Sequence, residues 1–138
     1  MGLIIGIGLA LVVSIMATCV GFDRDRSFYP VVMIVIAFIY GLFAVMSGVA
    51  HVLAIEMIGI VLFVLVSIVG FKLNLWWVAA ALFGHGVFDF FHDHFVANPG
   101  VPAWWPMFCM AYDVTAAAYL AWLLCRSKLI ARPGQARR

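Results

Sequence analysis

Five apolar stretches, parted by short polar breaks, set the pattern of this chain. Residues 2–21 carry no charge, and the run stops at Asp23-Arg24-Asp25-Arg26. A second run, 30–47, opens on Pro30, which suits the first turn of a helix, where its missing N–H costs nothing. After Gly48-Val49-Ala50-His51 comes the run 52–70, interrupted only by Glu56, with Lys72 and Asn74 marking an exit to water. The run 75–95 is entered through Trp76 and Trp77, which suit a membrane interface, and turns polar towards its far end. Three prolines and a glycine make 97–106 a loop, anchored by Trp104 and Trp105, and 107–125 is the last run. About 20 apolar residues are needed to cross the hydrocarbon of a bilayer, and each run has roughly that length. The expected fold is an all-α integral membrane bundle of five transmembrane helices, a single domain over 1–138 with a basic tail at 126–138. A signal peptide is the competing reading of 2–21, opposed by the missing basic n-region and by the length of the run.

Composition sharpens this picture. Of the 138 residues, 67% are hydrophobic and 10% charged, and the mean hydropathy is +1.18. A soluble domain carries about 25% charged residues, so an ordinary globular protein is excluded, and the five runs leave no room for a separate extramembrane domain. Cys19, Cys109 and Cys125 form neither a disulfide framework nor a CxxC site. Five spans place all eight Lys and Arg residues on one face: two in the first link, Lys72 in the third and five in the tail. The other face has none. The positive-inside rule then predicts an outer N-terminus and a cytoplasmic tail. The partner implied is the lipid bilayer; no nucleic acid is expected, and a homo-oligomer is compatible with so small a protomer.

Apart from Asp23 and Asp25, every acid and histidine falls on or near the outer half of a run: His51, Glu56, His85, Asp89, His92, Asp93, His94 and Asp113. An ionisable side chain in hydrocarbon costs on the order of 2.5–3.5 kcal/mol, so such residues usually face the bundle interior with a partner. His85, Asp89 and His92 stand at i, i+4 and i+7 and share a helix face. Two imidazoles and a carboxylate make a partial metal shell, which Glu56 or Asp113 can complete from neighbouring helices. Imidazole with carboxylate suits zinc, iron or manganese, and the lack of a paired cysteine argues against a thiolate site. Gly84 and Gly86 would let another helix approach beside His85. Cys109 and Asp113, four apart, share a face of the last helix. The plainer alternative is a polar face that pairs with Glu56 and Asp113 through protons and water, without metal. A single membrane histidine such as His51 is more often packed and hydrogen-bonded than a ligand. Asp93 and His94 lie off the main stripe and nearer to water, as outer partners of the ligands or as solvated helix-end groups.

Glu56, the segment His85-Gly86-Val87-Phe88-Asp89-Phe90-Phe91-His92, Asn98-Pro99, Pro102, Pro106, Cys109 and Asp113 together resemble a family of small bacterial integral-membrane proteins known only as a domain of unknown function. That family has a third-span glutamate, an HxxxDxxHH segment, an NPxxP loop and a Cys followed by an Asp on the last helix. The resemblance covers about the C-terminal two-thirds of the chain. It implies a bacterial inner-membrane location and roles for Glu56, His85, Asp89, His92, Asn98, Pro99, Cys109 and Asp113. Position 93 departs from it, with Asp93 where the second histidine of the pair stands and His94 beside it. No activity follows from the family.

Two functions are compatible with these residues. One is a membrane-embedded metal-dependent hydrolase, with His85, Asp89 and His92 as ligands, Glu56 or Asp113 as general base, and zinc as the first expectation, lowering the pKa of a bound water towards about 7. Its substrate would be a lipid or small hydrophobic molecule at the outer leaflet. Iron, the second metal, would permit redox chemistry with the same residues. The other is a metal-ion or proton binding or transport protein without enzymatic activity. Ser14, Thr18, Ser67 and Thr115 are too few to continue a polar path through the inner halves of the runs. A heme between His51 and His85 fits poorly with the carboxylates around them.

Overall fold

A computed structural model describes residues 1–126; the tail beyond Arg126, with Lys128, Arg132, Arg137 and Arg138, lies outside the described residues. The described residues form five helices, α1 (Gly2–Val20), α2 (Phe28–Ser47), α3 (Ala50–Lys72), α4 (Trp76–Phe95) and α5 (Trp105–Cys125), with one short 3-10 turn at Phe22–Arg24. No strand occurs among the described residues. Both α2 and α5 begin two residues before the positions suggested by the hydrophobic runs, so Pro30 and Pro106 still sit in first turns, where an absent N–H leaves no bond unmade. α3 starts at Ala50, which draws His51 into its first turn and shrinks the preceding link. Gly21 (φ 93°) and Gly48 (φ 70°) end α1 and α2 in the left-handed conformation that glycine adopts at least cost.

α5 is flanked by α1 and α4, α2 lies along α3, and α3 and α4 join the two pairs. The α1–α5 contact rests on small residues. Gly6, Ala10, Ser14 and Ala17 are the buried positions of α1, and a Cβ at Gly6 would collide with the Phe108 carbonyl oxygen. Small side chains let the two backbones approach this closely and gain dispersion contacts. Gly86 plays the same part between α4 and α5: a Cβ there would meet the Met110 carbonyl oxygen at 3.2 Å and Asp113 Cβ at 3.3 Å. Gly84 does not, since nothing lies within 4 Å of its Cβ position, so only one of the two glycines around His85 admits a helix. A Cβ at Gly70 would press on Val78, whereas Gly48 and Gly59 face open space.

Met33, Val78, Leu82, Leu120 and Leu123 build the core, while Ile4, Val12, Phe38, Leu42, Ile58, Leu62 and Phe90 stand exposed on the outside of the bundle. Four helices, α1, α2, α3 and α5, are long and apolar enough to cross a membrane. α4 falls short of that set, because three histidines and two aspartates stand in its stretch from His85 to His94.

The first and third links meet at one end of the bundle. There Arg26 Nη2 donates to the Phe71 carbonyl oxygen at 2.7 Å, satisfying one of the unpaired carbonyls that end α3. Asp23 is buried at the same end, accepting from Thr18, which also meets the Tyr119 hydroxyl at 3.0 Å. Arg126 lies over the Trp122 ring, one turn beyond Tyr119. At the opposite end, the loop after α4 folds against α2 so tightly that a Cβ at Gly100 would collide with the Phe43 carbonyl oxygen.

Candidate metal centre

His85, Asp89, Cys109 and Asp113 converge between α4 and α5, with one ligand atom from each lying within 4.8 Å of the others. Both pairs are spaced i, i+4, which stacks two side chains on one face of each helix. Gly86 then lets the two faces close on each other. His85 Nδ1 stands 2.7 Å from Asp113 Oδ2 and 3.4 Å from Asp89 Oδ2, and the Cys109 thiol points to Asp113 Oδ2 at 3.8 Å. All four residues are buried. Ligands held at 2.0–2.3 Å from a tetrahedral ion stand about 3.3–3.8 Å apart, so this group needs only small side-chain movements to close on one.

Asp89 is the least satisfied member. It is 0% exposed, and neither carboxylate oxygen has a hydrogen-bond partner; Asp113 Oδ1 is also unpartnered. An isolated buried carboxylate is costly enough that it is neutralised by a proton, a cation or a metal. One imidazole stands between two such carboxylates, so even a protonated His85 balances only one of them.

The stripe expected from spacing divides here. His92 shares the face of His85, but seven residues at 1.5 Å rise carry it about 10.5 Å along the axis, too far for one ion to hold both rings. Its Nε2 instead meets Glu56 Oε1 at 2.9 Å, and Asn98 Nδ2 donates to the same oxygen at 2.9 Å. Glu56 and Asp113, considered together as completing one shell, thus belong to two neighbouring groups. Cys109, noted in the sequence for sharing a face with Asp113, is among the candidate ligands, so the argument against a thiolate from the lack of a second cysteine does not hold for this geometry. Asp93 is 74% exposed, with Oδ1 3.5 Å from His92 Nδ1. His51 and His94 are exposed and join neither group.

Tyr40 of α2, not anticipated from the sequence, links the two groups. Its ring stacks on His92 at 4.2 Å between centroids and lies 6.0 Å from His85. With Glu56, His85, Phe63 and Phe88 it lines a void of about 10 Å³, the room needed for one water. The Tyr40 hydroxyl is buried without a hydrogen-bond partner. On the far side of the centre, a cavity of about 270 Å³ between α1, α2 and α5 reaches Cys109, walled by Leu9, Ile36, Trp105, Phe108 and Tyr112. The hydroxyls of Ser67 and Thr115 donate to carbonyls of their own helices, four residues back.

Compared with known proteins, the chain matches no family model, no curated protein and no solved structure.

Proposed function

We propose that this is an integral membrane protein of a bacterial inner membrane, N-terminus outside and basic tail in the cytoplasm, that holds one divalent transition metal and hydrolyses a lipid or small hydrophobic substrate at the outer leaflet. Kinship with the family of unknown function is part of the same proposal and rests on the shared motif. The observation that carries the metal reading is Asp89, wholly buried with neither oxygen hydrogen-bonded and with His85 Nδ1 3.4 Å from Oδ2. A divalent ion held by His85, Asp89 and Asp113 balances the two buried carboxylates, and Cys109, the fourth donor within reach, adds one net negative charge if it binds as a thiolate. Zinc suits this nitrogen, oxygen and sulfur set; iron is the second choice.

A metal held by three of these four residues, or by all four with a fifth position open, would supply Lewis acidity and lower the pKa of a bound water. The protein's own contribution to hydrolysis is Glu56. His92 and Asn98 fix its carboxylate, and it faces His85 across a void that admits one water, within reach of a general base acting through that water. Asp113 is read as a ligand instead of the base, and His92 as the residue that orients Glu56. The cavity ending at Cys109 is apolar, which favours a substrate drawn from the bilayer.

Elemental analysis of protein purified in detergent without chelator tests the reading. About one zinc per chain is expected, lost in His85→Ala and retained in Glu56→Gln, which keeps the metal and loses turnover. Protein that purifies without metal and moves protons or ions across liposomes instead would overturn the hydrolase reading and establish the non-enzymatic one.

A further inference from the structure

We propose that Asp93, His92 and Glu56 form a proton path joining the aqueous end of the bundle to the void beside His85. The path does not rest on the metal or on hydrolysis, because it needs only that the buried group exchange protons with water. His92 has the connectivity of a shuttle. Its Nε2 meets Glu56 Oε1 at 2.9 Å inside the bundle, and its Nδ1 lies 3.5 Å from Oδ1 of the exposed Asp93. A histidine with a purely structural role would have both ring nitrogens satisfied, yet Nδ1 is buried with no hydrogen-bond partner. Asp93 is 74% exposed, so a side-chain rotation or one water closes the remaining gap without moving the helix.

On the inner side, His92 and Asn98 both bond Oε1 of Glu56, which leaves Oε2 for the void. A water in that void has Glu56, His85 and the unpartnered Tyr40 hydroxyl as polar neighbours, enough to hold it. A proton on Glu56 passes to His92 Nε2, and the resulting imidazolium releases its Nδ1 proton to Asp93 and bulk water. One proton enters the ring for each that leaves. Tyr40, stacked on the ring, holds its plane between the two carboxylates. The titratable groups around this pair are Tyr40 from α2 and His85, Asp89 and Asp93 from α4; Cys109 and Asp113 of α5 lie against His85 instead.

The test uses full-length protein carrying ¹⁵N-labelled histidine in lipid vesicles, with exchange of the His85 ring N–H read by NMR after transfer to D₂O. In His92→Gln the amide still donates to Glu56 but cannot take up a proton and release another, so exchange at His85 should slow roughly tenfold or more. Equal rates in the variant and the wild type overturn the path. If His92→Gln fails to fold, Asp93→Asn decides the matter: it removes the outer acceptor at an exposed position, exchange at His85 should again slow, and a rate equal to the wild type overturns the path. Metal content measured on the same sample shows whether the metal reading stands or fails separately.

Discussion

At Asp89 the free energy of the site is concentrated in two unpartnered oxygens. Replacing the residue by Asn removes a charge that only a cation or proton can balance, so the sign of the effect depends on what the site holds. With zinc present at about a hundred times its dissociation constant, the wild type gains about 2.7 kcal/mol of stability. Asp89→Asn is expected to lose most of that gain and to be no less stable than wild type without metal; thermal denaturation with and without added zinc measures both. His85, Asp89 and Asp113 were legible in the sequence, since ionisable residues in an apolar run face inwards and an i, i+4 pair shares a face. The place of His92 was not, because helical periodicity fixes direction around the axis while the 10.5 Å rise, about seven residues of helix, decides which partners are in reach. Nor was Tyr40, which looks in sequence like any other aromatic of an apolar helix.

Between elements, the candidate metal centre depends on how closely α4 and α5 approach, and Gly86 controls that distance. Gly86→Leu should push α5 away by overpacking, at a cost of about 1–3 kcal/mol, and separate Asp113 from His85. Gly84→Leu, two residues away with open space at its Cβ, should leave both stability and metal content near wild type. Denaturation midpoints and zinc stoichiometry of the two variants provide the comparison, and similar losses in both would separate the centre from this contact. The existence of the five helices was readable from the runs of apolar residues. The close α1–α5 contact was readable in principle, from Gly6, Ala10, Ser14 and Ala17 at spacings of three and four, but only a partner helix shows which of α1's many small and apolar residues are inside. Asp23 belongs with the surprises, buried against Thr18 although its neighbours Arg24 and Asp25 read as a solvated link.

For the molecule as a whole, charge and chemistry lie at opposite ends. Arg26 and Lys72 sit where the first and third links meet, with Arg126 at the α5 terminus beside Tyr119 and Trp122, while Glu56, His92 and Asn98 meet at the far end. This arrangement follows from the odd number of antiparallel helices, and it is what makes the topology predictable. In the membrane reading, a fluorescent protein fused to the C-terminus should fold in the cytoplasm, and a phosphatase that works only in the periplasm should be inactive there. The opposite pair of results would invert the bundle and turn the metal centre inwards.

The shortfall of α4 as a spanning segment has a consequence for how such a chain is made. When α4 leaves the ribosome, its histidines and aspartates have Glu56 and Tyr40 already synthesised, but Asp113, Cys109 and Asn98 are still to come. Taken alone, its polar half weighs against entering lipid, each aspartate near mid-bilayer costing about 2.5–3.5 kcal/mol on insertion scales. Its partners in α5 arrive after a turn of only nine residues, Val96 to Trp104. Biogenesis would then favour delivering α4 and α5 to the bilayer as a pair, with the site assembled during insertion and not after it. Nascent chains arrested before and after Asp113 would report this as a late, joint entry of both helices.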